Sequence, residues 1–338
     1  MRRHFTLIAV MITVLTLLSG GACQKASDLA TKKPASPPVE PTPAVPAEPT
    51  PPPAPPEVKA PAPAKPKPPT SYTLTDETAR KIAAAAPTKS ISEPKKPRKV
   101  LVYGRMPTHP EAVVCCFEAM KQIAEKSGAF EVVSSGDPSV FEADSLAQFD
   151  AIVMNNTHEK FPIRPENFDE LDDEAKKAAE EKEVVLKQNF MDFVKGGKGV
   201  VGIHGALAGN VQWPEYLEML NGSYGGHFSE TVVVGPIMVD HPICKPLGGK
   251  TFEVYDELYS FGPPYDREKV EILMALDLTK MKVPVKKPKK EYPVSWIRSF
   301  GKGRVFYCSL GHYATAYSSP EVMQHYLAGI QWAVGDLK

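Results

Sequence analysis

Lys195-Gly196-Gly197-Lys198-Gly199-Val200-Val201-Gly202-Ile203-His204-Gly205-Ala206 is the stretch on which the fold turns. The glycine pair stops what precedes it, and the run that follows is apolar or small up to a terminal His-Gly. A run with no polar alternation is a strand buried on both sides, and such strands belong to sheets covered by helices on both faces. Residues 184–195 place apolar side chains at helical spacing, so a helix leads into the strand. Further upstream, Lys99-Val100-Leu101-Val102-Tyr103 reads as a buried strand closed by Gly104, 111–127 as a helix, and 130–134 and 149–155 as strands. Downstream, strand-like segments fall at 231–239, 251–258, 270–276, 294–300 and 304–309, before a closing helix at 321–335. The pattern predicts one α/β domain over residues 99–338, built on a mostly parallel sheet.

In an open parallel sheet, ligands bind beyond the carboxyl ends of the strands. The polar residues at those ends recur in type: Arg105 to His109 after the first strand, Asn155-Asn156-Thr157-His158, then His204-Gly205, then Leu310-Gly311-His312. One such His reads equally well as a hydrogen-bonded structural residue, but several delivered to one rim can meet. Tyr224-Gly225-Gly226-His227 and Asp240-His241-Pro242 read as turns carrying two more. Asp256 and Glu257 are adjacent in a strand, so they point to opposite faces and only one can face a given site. A carboxylate among imidazoles orients a base, raises its pKa, or completes a metal shell. The spacings match no short metal motif, which leaves a divalent metal open and indicates no cofactor with certainty. No Gly-x-Gly-x-x-Gly opens a helix, so no dinucleotide site is expected.

The remaining sequence bounds where such a domain works. Lys plus Arg and Asp plus Glu are both 40, and this neutral balance argues against a nucleic-acid partner. The charged run 166–187 and Lys286, Lys287, Lys289 and Lys290 read as solvated helix and loop. Met1-Arg2-Arg3, an apolar run over 5–18 and Ser19-Gly20-Gly21-Ala22 form a signal-peptide pattern over residues 1–22. Cys23 then resembles the lipidated cysteine of a bacterial lipobox, although Gly20 stands where an aliphatic residue is usual. This predicts export to the periplasm or cell envelope with a lipid anchor, and Gln24 favours the outer membrane. Residues 23–71 are dominated by Pro, Ala, Lys and Glu and read as a disordered, extended spacer, and 72–98 as a short helix and linker. Cys115, Cys116, Cys244 and Cys308 read as buried unpaired thiols, with a Cys244–Cys308 bridge as the alternative.

The block 195–206, Trp213, Leu220-Asn221-Gly222-Ser223-Tyr224, Asp240-His241-Pro242, Asp256-Glu257-Leu258-Tyr259, Pro293-Val294-Ser295-Trp296 and 301–312 together resemble the ordered motifs of the ThuA (trehalose utilisation) family. The resemblance implies a flavodoxin-like three-layer sandwich similar to class I glutamine amidotransferases. In those enzymes the strand matching 199–203 ends in a cysteine nucleophile elbow, and here His204 occupies that place. Glutamine hydrolysis through a cysteine is therefore disfavoured. The resemblance further implies metabolism of trehalose or a related disaccharide, including 3-keto-glycosides supplied by a partner sugar dehydrogenase. On that reading His204 is a general base, with His312, Asp256 or Glu257 as acid or orienting group and His109 beside them. Trp213 would stack on the sugar, and Asn156, His227, His241 and Arg298 would bind it. A non-catalytic carbohydrate-binding lipoprotein is the rival reading.

Overall fold

The computed structural model describes residues 72–105, 109–159, 163–281 and 291–338. The expectations for residues 1–71, Cys23 included, for residues 106–108 and for Lys286, Lys287, Lys289 and Lys290 lie outside the described residues. Among the described residues no helix is long and apolar enough to cross a membrane.

The strands are β1 (Lys99–Tyr103), β2 (Glu131–Ser135), β3 (Ala151–Asn155), β4 (Gly199–Ile203), β5 (Ser223–Pro236), β6 (Phe252–Gly262), β7 (Glu271–Leu276), β8 (Pro293–Phe300) and β9 (Gly303–Cys308). They form one sheet in the order β2-β1-β3-β4-β9-β8-β7-β5-β6. The first five strands in that order are parallel and follow the doubly wound flavodoxin arrangement. The other junctions are all antiparallel, and they hold the larger share of paired residues. The mostly parallel sheet expected from the sequence is thus corrected. Parallel neighbours need a crossover of a dozen residues or more, usually helical. Strand-helix alternation supplies it up to β4, but among the described residues from β5 to β9 no long helix intervenes.

Helices α1 (Asp76–Ala85), α2 (Pro110–Ser127), α3 (Ala143–Ala147), α4 (Asp173–Lys195), α5 (Pro214–Leu220), α6 (Ala314–Tyr317) and α7 (Pro320–Ala333) complete the described elements longer than a 3-10 turn. Alternate residues of each parallel strand feed two separate cores. Val100, Val102, Val153, Val201 and Phe306 pack with Ile82, Met120, Ile123 and Leu327 from α1, α2 and α7. Leu101, Tyr103, Ile152, Met154 and Val200 pack with Phe190, Val194 and Tyr216 from α4 and α5. Both faces are therefore covered, as a three-layer sandwich requires.

Helix α4 begins at Asp173, well before 184, because Asp172 caps it by accepting from the Ala175 N–H at 2.8 Å. The acidic stretch 166–183 thus supplies its first turns, and the buried Glu183 pairs with Arg164 and Lys187. Residues 72–98 pack on the same body. Ile82 is fully buried, and Gln331 Oε1 accepts the N–H groups of Ile91 (2.8 Å) and Ser92 (3.3 Å). Asp336 accepts from the Lys95 N–H and from Arg98, closing a clasp between this strip and the end of the chain. Cys115, Cys116, Cys244 and Cys308 are free and buried, so the alternative Cys244–Cys308 bridge does not form.

His325 on α7 is fully buried, with Nε2 2.9 Å from Ser295 Oγ. Burial, with repulsion from His241 added, holds its pKa down to about 3. An unfolded His takes up a proton near pH ~6.5, so between there and the folded value the unfolded state binds more protons. Stability should therefore fall on acidification through that window, with a slope approaching ~1.4 kcal/mol per pH unit from this residue. Urea midpoints between pH 7 and pH 5 should show that fall, flattened in His325→Gln; an equal slope in the variant would contradict it.

Candidate functional site

The rim formed by the carboxyl ends of β1, β3, β4 and β9 carries His109, His158, His204 and His312 on the residues that follow those strands. His204 sits immediately after β4 at φ +40, a left-handed conformation that a non-glycine residue adopts at a cost of about 1–3 kcal/mol. The turn is held from both sides, since Tyr307 donates to the His204 carbonyl at 3.0 Å and Asn156 Oδ1 accepts the Gly205 N–H at 3.2 Å. Its imidazole is buried, and Nδ1 lies 2.6 Å from the Ser309 carbonyl oxygen. A carbonyl only accepts, so Nδ1 carries a proton and Nε2 is the ring nitrogen that faces inward. That Nε2 lies 3.1 Å from His312 Nδ1 and 3.5 Å from Glu257 Oε1.

Glu257 arrives from β6, in the antiparallel half. Its Oε1 is also 3.7 Å from His312 Nδ1, and its Oε2 is 3.5 Å from His227 Nε2. Burial pushes its pKa up, but the His204 contact and the fields of His312, His204 and His227 outweigh this and hold it below the usual range. Burial also pushes His312 and His109 down to about 4, with His204 adding to the shift of the first and His158 to that of the second. His158 is lowered for the same reason. Near neutral pH the centre is therefore an anionic carboxylate with His109, His158 and His312 uncharged around it. The His109 ring lies 4.9 Å from that of His158 and 5.0 Å from that of His312.

Asp256 points the other way, as strand alternation requires. Fully buried, it accepts the N–H groups of Gly311 (2.6 Å), His312 (3.1 Å) and Tyr313 (3.1 Å). It thereby fixes the loop that presents His312. Burial raises its pKa to about 6, against the pull of His204 and these N–H groups. Asp256→Asn turns one oxygen into a donor that cannot meet an N–H, so a loss of about 2 kcal/mol is expected. Thermal unfolding of the variant measures it, and an unchanged transition would contradict the loop-fixing role.

The pair Gly225-Gly226 lies inside β5, where the sequence suggested a turn. Tyr224 pairs with Phe261 and His227 with Tyr259, so β5 carries one more residue than β6 in this interval. That β-bulge restores Tyr224 and His227 to the same side, and Tyr224 Oη lies 2.7 Å from His227 Nδ1. Gly226 has φ +118, and a Cβ on Gly225 would stand 2.9 Å from the Gly262 nitrogen, so the bulge needs both glycines.

The structure thus brings together His204, His312, Glu257, His227 and His109, with Asp256 behind them. Other expected residues stand elsewhere. Trp213 is 6% exposed, packed between Phe190 and Tyr216, and has no face for a sugar. Asn156 is buried and engaged with Gly205, Gly311 and Tyr317, so it ties strand ends together. Arg298 donates to the Glu218 carbonyl at 2.7 Å, and His241 Nδ1 accepts the Ile243 N–H at 3.2 Å, each within its own local structure. The sequence places His158 at a strand end without assigning it a role, and it assigns none to Tyr224, Tyr259 or Ser309. His158 had a signal in its place after a strand, whereas the others depend on tertiary pairing. Cys308 lies inside β9 with its thiol pushed up to about 12 by burial, unfit as a thiolate nucleophile.

An α/β sandwich whose strand-end rim gathers imidazoles around one carboxylate is the class that fold and site define. The chain belongs to the ThuA family, whose model, described as trehalose utilisation, matches residues 99–333. Among solved structures, a ThuA-like protein from Bacteroides uniformis ATCC 8492 is similar at 21% identity and TM-score 0.56, covering 72% of this chain and 94% of that one. A ThuA-like protein from Parabacteroides merdae ATCC 43184 is similar at 21% identity and TM-score 0.52, covering 71% and 91%. These likenesses show the shared fold. No curated protein matches the sequence.

Proposed function

We propose that the chain is an enzyme acting on a disaccharide of the trehalose type or its 3-keto derivative, with the His204–Glu257–His312 cluster as its reaction centre. The observation that supports this is convergence: β4, β6 and the loop after β9 each deliver one donor to a common point. Membership of a family described by trehalose utilisation supports the substrate class. The cluster offers lone pairs and one negative charge, which suits removal of a proton beside a sugar carbonyl. A dehydrogenase producing that carbonyl is the partner this chemistry calls for, and nucleic acid is not. With His204 at the elbow in place of cysteine, glutamine hydrolysis is outside this reading. A panel of trehalose, 3-keto-trehalose and matched disaccharides, followed by chromatography, tests it. Turnover of a keto-sugar is expected, lost in His204→Ala. Saturable sugar binding with no turnover across the panel would make the chain a binding protein instead.

The basic and apolar leader followed by Cys23 supports export and lipid attachment, with residues 24–71 as a spacer from an outer membrane. Expressed in a Gram-negative host, the chain should incorporate labelled palmitate, and Cys23→Ser should not. Equal labelling of both would reject the anchor.

A further inference from the structure

We infer that His204 Nε2, His312 Nδ1 and Glu257 Oε1 are the three protein ligands of a divalent transition-metal site of the zinc type, with a fourth position left for water or a substrate oxygen. The three donor atoms come from a strand-end elbow, a loop and the edge strand β6 of the antiparallel half, and all lie within 4.8 Å of one another. Their separations carry the argument. His204 Nε2 to His312 Nδ1 is 3.1 Å, His204 Nε2 to Glu257 Oε1 is 3.5 Å, and His312 Nδ1 to Glu257 Oε1 is 3.7 Å. Ligands about 2.0–2.2 Å from a tetrahedral cation stand about 3.3–3.6 Å apart, within this range. Charge-assisted hydrogen bonds between imidazole and carboxylate close to about 2.8 Å instead. The carboxylate stands off both rings, too far for hydrogen bonds of that kind and at the spacing of groups that share an ion.

What surrounds the donors fits the same assignment. Metal-bound imidazoles usually donate their other N–H to a carbonyl or carboxylate, which fixes the tautomer and aims the lone pair. His204 does this through Nδ1 to the Ser309 carbonyl at 2.6 Å. The loop bearing His312 is fixed by the three N–H groups that Asp256 accepts. Glu257 Oε2 faces His227 Nε2 at 3.5 Å, and His227 is in turn steadied by Tyr224 at the bulge. Two imidazoles and one carboxylate with an open position form a donor set known from catalytic zinc, where the ion polarises a carbonyl or acidifies bound water.

The inference rests on the cluster being the reaction centre, and it makes His204 a ligand in place of a proton acceptor. The test needs no sugar. The full chain, purified without chelator, is assayed for metal by mass spectrometry, then stripped and titrated with Zn2+ by calorimetry and with Co2+ by visible absorption. About one equivalent of Zn2+ and a tetrahedral Co2+ spectrum are expected. Glu257→Gln and His312→Ala should each weaken Zn2+ at least ~100-fold, with His241→Ala, outside the cluster, within ~3-fold of wild type. Thermal unfolding with and without Zn2+ reads the same site without depending on the variants: wild type should be stabilised by the ion. Absence of stoichiometric binding, or binding indifferent to both cluster substitutions, overturns the site. Zn2+ held at the cluster with no sugar turned over supports it while defeating the functional reading, and full turnover by metal-free protein does the reverse.

Discussion

Glu257→Gln is expected to lower kcat/KM by about 10³-fold on whichever sugar the wild type turns over, with the fold intact. The carboxylate faces three imidazoles at once, His204 and His312 through Oε1 and His227 through Oε2. Glutamine keeps its volume but removes the charge and replaces one acceptor with a donor. The attraction that holds its pKa below the usual range gives the charge some stabilising effect, but the contacts stand at 3.5 to 3.7 Å. Neutralising it should therefore cost only modest stability, and the melting temperature should stay within a few degrees. Asp256, the next residue in β6, should behave oppositely, since its substitution unfastens the loop and shows first in stability. Steady-state kinetics and thermal unfolding on the two variants separate the roles. Activity within threefold of wild type in Glu257→Gln would place the reaction centre elsewhere.

Asp336→Ala is expected to destabilise the domain by about 3–5 kcal/mol, because it strands a guanidinium that is almost as buried as the carboxylate. Asp336 has a fully buried side chain and takes Arg98 Nη2 at 2.5 Å and Nε at 3.0 Å, as well as the Lys95 N–H at 3.1 Å. Arg98 reaches Asp150 at 3.3 Å, which does not replace what is lost. The damage should begin locally, with proteolytic cleavage within residues 91–98 preceding cleavage of the sheet. Urea unfolding gives the magnitude and timed proteolysis the order. A change under about 1 kcal/mol would mean that water compensates Arg98 and that the clasp is weak.

The parallel half of the sheet was legible because continuous apolar runs alternating with amphipathic helices admit few other arrangements. The strand-end position of His204, His109 and His312 follows from that half alone. The antiparallel half was legible as strands but not as pairings. Reading the sheet as mostly parallel ignored the lack of crossover helices between β5 and β9, a signal the sequence does carry. Gly225-Gly226 marks a bulge as readily as a turn, and the choice rests on the partner strand β6. Trp213, expected to stack on a sugar, is instead closed over by Phe190 and Tyr216. His241 and Arg298 are held by contacts to Ile243 and Glu218 that no local pattern announces. Strand alternation sends Asp256 and Glu257 to opposite faces, but which of the two meets the imidazoles is set by the register in which β6 pairs with β5.

Among the described residues β9 is the last strand in chain order, yet in the sheet it lies between β4 and β8 and joins the strands on its two sides. A ribosome-bound or truncated chain that stops short of Gly303 therefore holds two half-sheets, each with a naked inner edge of unpaired peptide groups. Such edges invite pairing with other chains. The loop that delivers His312 follows directly on that strand, so the final sheet closure and the completion of the imidazole cluster are one event.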